Sequence, residues 1–147
     1  MEEALKKCWR YLNRKMYTVR ELEDRLRRDG FDDRVIEEVV SFLQEKGYLD
    51  DAEYIKVYLE SHRNRPKGYF AIVDDLRRKG VSASYLASLR EDFYPLEAEI
   101  EDAVRLLRLE QERGGDEEKI KRKLSRRGFT WEAIEEALTK LSDSSLP

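Results

Sequence analysis

The sequence predicts an all-α protein built of three tandem three-helix, helix-turn-helix-like repeats that form an elongated, curved molecule. Three observations carry this. Leu, Glu, Arg and Lys dominate a chain of 147 residues with only three prolines and seven glycines, a composition that favours helix nearly throughout. Residues 21–36, 71–86 and 119–134 align without gaps, at offsets of 50 and 48 residues, the signature of an internal repeat. Apolar residues recur at helical spacing on both sides of a glycine in every copy.

Each repeat is expected to open on an amphipathic helix. Ala4, Leu5, Cys8, Trp9 and Leu12 mark the first, Tyr54, Ile55, Tyr58 and Leu59 the second, and Ile100, Ala103, Val104 and Leu107 the third. Pro95 suits the first turn of that third segment. A second helix follows. Its inward face is Leu22 and Leu26, Ile72 and Leu76, or Ile120 and Leu124, four residues apart. Thr18 and Glu21 match a capping box at the start of the first copy, and Asp116 is the candidate cap of the third. Gly30, Gly80 and Gly128 then stand where a left-handed residue ends a helix. Phe31, Val81 and Phe129 come next, placed to fold back on the helix they leave. Asp32, Ser82 and Thr130 are candidate N-caps of the third helix. Its apolar positions are Ile36, Val39, Val40 and Leu43, then Leu86, Leu89 and Phe93, then Ile134, Leu138 and Leu141. The expected division is 1–48, 49–94 and 95–141, with 142–147 a flexible tail. Repeats this small have little core each, so neighbours must pack.

Composition excludes several classes of function. No apolar run approaches the ~18–20 residues that cross a bilayer, and the acidic start, Met1-Glu2-Glu3, lacks a secretory h-region. A cytoplasmic protein is expected, without membrane contact. One cysteine, Cys8, and one histidine, His62, rule out a disulfide framework and the usual zinc sets. Neither a Gly-rich phosphate loop nor a nucleophile elbow is present. No cofactor, metal or catalytic residue is assigned, and the protein is not expected to be an enzyme. Cys8 reads as a small core residue.

The net charge is −3, so bulk charge does not announce a nucleic-acid binder; segregation of cations matters instead. Arg27-Arg28, Arg77-Arg78-Lys79 and Arg126-Arg127 recur in the last turn of the second helix of each repeat. Cations there complement the helix dipole, and they also place three basic knuckles along one edge. The loop with Arg63, Arg65 and Lys67 adds a second cluster, and Lys121, Arg122 and Lys123 complete the densest one. These thirteen cations are the candidate partner-binding residues; Gly30, Gly80 and Gly128 are the structural turn residues. Most aromatics fall on apolar faces and read as core. Tyr69 and Phe70, beside the basic loop, are candidates for stacking on a base or a partner.

The most specific stretch is Gly47-Tyr48-Leu49-Asp50-Asp51, followed by Tyr54, the basic loop ending in Lys67-Gly68, and Leu76-Arg77-Arg78-Lys79-Gly80-Val81. With Ala4-Leu5, Arg20-Glu21-Leu22, Leu26 and Gly30-Phe31, it resembles the RecX family of bacterial regulatory proteins, over essentially residues 4–141. Val81 where the family usually has isoleucine, and Met16, Tyr17 and Thr18 before the second helix, are small departures. The resemblance implies a non-enzymatic modulator of the RecA recombinase. Such a protein binds the RecA–single-stranded-DNA filament along its groove and restrains growth, ATP hydrolysis, strand exchange and the co-protease activity behind the SOS response. Weak nonspecific contact with single- or double-stranded DNA and a monomeric state are expected. The rival reading is a helix-turn-helix DNA reader. Against it, the starts of the three third helices, Asp33-Arg34, Ala83-Ser84 and Trp131-Glu132, lack a shared set of base-contacting side chains.

Overall fold

The computed structural model describes residues 1–144. Among them are ten helices and no strand: α1 (Glu2–Arg14), α2 (Val19–Arg28), α3 (Asp33–Glu45), α4 (Asp51–Ser61), α5 (Tyr69–Arg78), α6 (Ala83–Ala87), α7 (Leu89–Asp92), α8 (Leu96–Glu112), α9 (Glu117–Arg126) and α10 (Trp131–Ser144). The all-α expectation holds. Helix α10 carries residues 142–144 of the expected tail; 145–147 lie outside the described residues.

The turns after α2, α5 and α9 follow one design. Gly30, Gly80 and Gly128 have φ of +95°, +90° and +91°. The next N–H reaches back to a carbonyl in the last turn: Phe31 to Leu26 at 3.2 Å, Val81 to Leu76 at 3.0 Å, Phe129 to Leu124 at 3.1 Å. That is the Schellman closure. The caps are also made. Thr18 and Glu21 form a capping box, and the side chains of Asp32, Ser82 and Thr130 accept from the backbone three residues on. Asp116 accepts from Lys119 at 3.0 Å. Pro95 lies one residue outside α8, at its N-cap.

The middle repeat departs from the pattern. Its third helix is split into α6 and α7 at Ser88, whose hydroxyl donates to the Tyr85 carbonyl at 3.2 Å. Serine offers the backbone such local alternatives to the helix ladder.

Each helix group encloses its own core. Ala4, Cys8, Leu22, Leu26, Val39 and Leu43 anchor the first. Ile55, Ile72, Leu76, Val81, Leu89 and Tyr94 form the second. Leu107, Ile120, Leu124, Phe129 and Ile134 anchor the third. The accessible surface is 9637 Å², against roughly 7,900 Å² for a compact monomer of this mass, as an elongated arrangement requires. Cys8 is fully buried, and burial, with the Asp29 charge second, pushes its thiol up to about 11. Trp131, Tyr48 and Trp9 depart from the core expectation, at 75%, 60% and 39% exposed, and the stacking candidate Phe70 is 62% exposed.

The units are joined end to end through their second helices. Where α2 begins, the buried Thr18 hydroxyl donates to the Lys79 carbonyl at the end of α5, at 2.6 Å. Where α5 begins, the N–H groups of Gly68 and Phe70 donate to the carbonyls of Arg127 and Gly128, each at 3.0 Å. Open donors at one helix start thus meet open acceptors at another helix end. A buried acid completes each joint. Asp51 accepts from Val19 N–H at 2.9 Å. Glu99, with no exposed surface, accepts from the N–H of Tyr69 (2.9 Å) and Thr130 (3.0 Å), the Thr130 hydroxyl (2.9 Å) and the Arg90 guanidinium (2.6 Å).

Candidate partner-binding surface

The end-to-end order places the basic ends of α9, α5 and α2 one after another. Each of these helices has ten residues, about 15 Å at 1.5 Å per residue. Consecutive cationic ends are therefore roughly one short helix apart along the molecule.

The thirteen cations do not act alike. Arg27 pairs with Asp24 at 3.0 Å and Asp33 at 3.3 Å. Arg63 pairs with Glu60 at 2.9 Å, Lys123 with Glu110 at 2.8 Å, and Arg78 with Asp74. Lys121 lies among Glu117, Glu118 and Glu135 at 3.6–3.9 Å. Lys67 sits 2.8 Å from Asp75, which also accepts from the Tyr58 hydroxyl. Burial alone would raise the Asp75 carboxyl, but those two hydrogen bonds and the charges of Lys67 and Arg78 together hold it below its usual range. Burial, then Asp75, pushes the Tyr58 phenol up.

Arg127 has a mainly internal role. It is half-buried, and its guanidinium donates to the Pro66 carbonyl at 2.7 and 3.2 Å and to the Arg65 carbonyl at 3.2 Å. It thereby pins the 63–67 loop against the end of α9. The Arg65 side chain stays exposed, as does that of Lys79. Among the described residues, Arg28, Arg77, Arg122 and Arg126 are exposed and make no ion pair.

The structure divides the basic edge into separate clefts. Arg77, Arg78 and Arg126 share one of about 710 Å³ with Tyr69 and Phe70, so two repeats contribute. Arg65, Lys123 and Arg127 line a second, of about 250 Å³, with Arg113. Arg63 lines a third, of about 580 Å³, with Arg105, Arg108 and Lys140. These last three cations were missed by the sequence reading. Arg105 and Arg108 lie three residues apart on α8, so helical spacing alone sets them on one face; the packing of α10 on α8 adds Lys140. Arg27 and Arg28 lie a helix length from the first joint. No group of three or more His, Cys, Asp or Glu suited to a metal ion occurs among the described residues, and no helix there is long and apolar enough to cross a membrane.

Comparison with known proteins accords with this architecture. Residues 4–43 match the model of the RecX first three-helix domain. A regulatory protein RecX from Caldanaerobacter subterraneus subsp. tengcongensis is 31% identical over 137 residues, covering 93% of this chain and 70% of that protein. One from Bacillus licheniformis is 29% identical over 144 residues, covering 94% of this chain, which spans just over half, 55%, of that relative. The crystal structure of RecX from Lactobacillus salivarius superposes with a TM-score of 0.82 over 96% of each chain at 22% identity, a likeness of fold. With the three-helix units, the shared length and the matching first domain, the chain belongs to the RecX family.

Proposed function

We propose that this protein is a non-enzymatic regulator of the RecA recombinase. It binds the RecA–single-stranded-DNA filament along its groove and restrains ATP hydrolysis, strand exchange and co-protease activity in DNA repair and the SOS response. Repeats 1–48, 49–94 and 95–141 act as successive contact modules. The observation that carries the reading, beside family membership, is the end-to-end series of second helices. It presents a basic end about every 15 Å, a form suited to following a long polymer. The protein works as a monomer in the cytoplasm, where its recombinase acts. Its own contact with free DNA is weak, indifferent to sequence and lost as salt rises, because phosphate charge alone attracts the basic ends.

The test is recombinase ATPase activity on single-stranded DNA with and without the protein. Suppression at near-stoichiometric ratios, with shorter filaments by electron microscopy, supports the reading. Unchanged ATPase and filament length at saturating protein overturns it.

A further inference from the structure

We propose that the cleft along α5, rimmed by Arg77, Arg78 and Arg126 with Phe70 at its mouth, seats an acidic peptide segment that carries an apolar side chain. This rests on the reading of the basic helix ends as the partner-binding edge and names the chemistry of what they hold.

Charge in the cleft is unbalanced in a specific way. Its two carboxylates are already engaged: Asp74 by Arg78, and Asp75 by Lys67 and the Tyr58 hydroxyl. Arg77 and Arg126 have no counter-charge among the described residues. Guanidinium groups bind carboxylates through paired hydrogen bonds, so two such sites face an incoming chain. In the same cleft Phe70 exposes 62% of its surface, and Ala71 and Val73 also line it. Aromatic residues and arginines are the side chains enriched at protein–protein interfaces. The run of α5, about 15 Å, fits four or five extended residues at roughly 3.3–3.6 Å each.

A nucleic-acid strand fits less well. It carries a charge on every nucleotide, with no neutral unit to spare, and Asp74, whose side chain is 48% exposed on the wall, would face one of them. A peptide can place a neutral residue there and an apolar one against Phe70.

The experiment is fluorescence anisotropy on the whole chain with three labelled probes. These are a peptide of about twelve residues repeating Glu-Asp-Phe, one repeating Glu-Asp-Ser, and an oligo(dT) of matched charge. The expected result is that the Phe-containing peptide binds at least about tenfold tighter than the Ser-containing one. Arg77→Glu combined with Arg126→Glu should weaken it by about tenfold or more. Phe70→Ser should abolish the preference between the two peptides. Circular dichroism and melting should be unchanged, because the substituted groups are exposed. Absence of peptide binding, equal binding by the variants, or an oligo(dT) that binds tighter than the peptide and loses affinity in Phe70→Ser overturns the assignment. The titration contains no recombinase. Failure here with ATPase suppression intact therefore removes the cleft's occupant and leaves the filament reading standing.

Discussion

Asp51 and Glu99, 48 residues apart, occupy the same position in successive repeats: each carboxylate accepts a 2.9 Å hydrogen bond from the N–H that opens the second helix of the preceding unit. A negative charge is favoured at a helix start, and here it comes from the neighbouring repeat. The two joints differ in how the acid is surrounded. Glu99 gathers four donors including a guanidinium. Asp51 has one side-chain bond, and burial, the largest influence on it, raises its carboxyl above the ordinary 3.8.

Replacing Glu99 should therefore be severe. Glu99→Ala leaves the Tyr69 and Thr130 N–H groups without their acceptor and Arg90 without its counter-charge, and losing one partner of a buried ion pair costs ~3–5 kcal/mol. Glu99→Gln should recover only part of this, since its amide N–H₂ faces donors at one of the two oxygen positions. Urea denaturation of both variants checks the order; an unshifted midpoint for Glu99→Ala would show that the joint contributes nothing.

Asp51 should behave differently, with a pH signature. Its raised native pKa means that the charged form is disfavoured on folding, so its stability cost appears as pH rises through that value and vanishes below 3.8. Asp51→Asn keeps the oxygen that Val19 N–H needs and removes the charge. At neutral pH it should equal or exceed the wild type, and the difference should disappear in acid. Asp51→Ala should lose ~1–3 kcal/mol by stranding the N–H. Melting temperatures from pH 3 to about 7 separate these outcomes.

The turn glycines should not be equivalent. A Cβ on Gly30 meets nothing within 4 Å, whereas on Gly128 it would lie 2.5 Å from Ala71 Cβ and on Gly80 2.7 Å from Arg20 Cβ. Gly30→Ala should cost only the left-handed penalty of ~1–2 kcal/mol. Gly80→Ala and Gly128→Ala should cost more, because the joint must open. Gly68→Ala is the sharper case. Its φ of −83° suits any residue, yet a Cβ would fall 2.1 Å from the Phe129 nitrogen. Equal melting-temperature losses across the series would count against close packing at the joints.

The arginines at the end of α9 should split by role. Arg122→Glu with Arg126→Glu removes two exposed, unpaired cations and should shift stability by less than ~0.5 kcal/mol, while recombinase inhibition falls. Arg127→Ala should do the reverse in part, losing ~1–3 kcal/mol with its bonds to Pro66 and Arg65. If the double reversal inhibits as well as the wild type, the basic ends serve only the helix dipoles.

What was legible in the sequence was what is local. Gly30, Gly80 and Gly128, their flanking caps and the Leu26, Leu76 and Leu124 faces act within a few residues of themselves, so spacing reveals them. Asp51 and Glu99 are bound to groups 30 to 32 residues away, and each reads locally as one more acid in a first turn. Arg127 looked like a surface knuckle because its acceptors, the Pro66 and Arg65 carbonyls, lie in another repeat. Gly68 read as the end of a loop because close approach by the Phe129 backbone leaves no mark in the local pattern. The break at Ser88 was masked by Leu86, Leu89 and Phe93, whose helical spacing persists across it.

The split third helix of the middle repeat bears on how the molecule opens. Separate cores joined unit to unit behave as a linear array, in which each element is coupled to its nearest neighbours. The central element of such an array has two couplings and the outer ones have one. Here the element with the most interrupted scaffold holds that central place, so its order is conferred from both sides. Cut out as residues 49–94 it would be a collapsed, unstable fragment, whereas within the chain its α5 amides should exchange with solvent as slowly as those of its better-built neighbours.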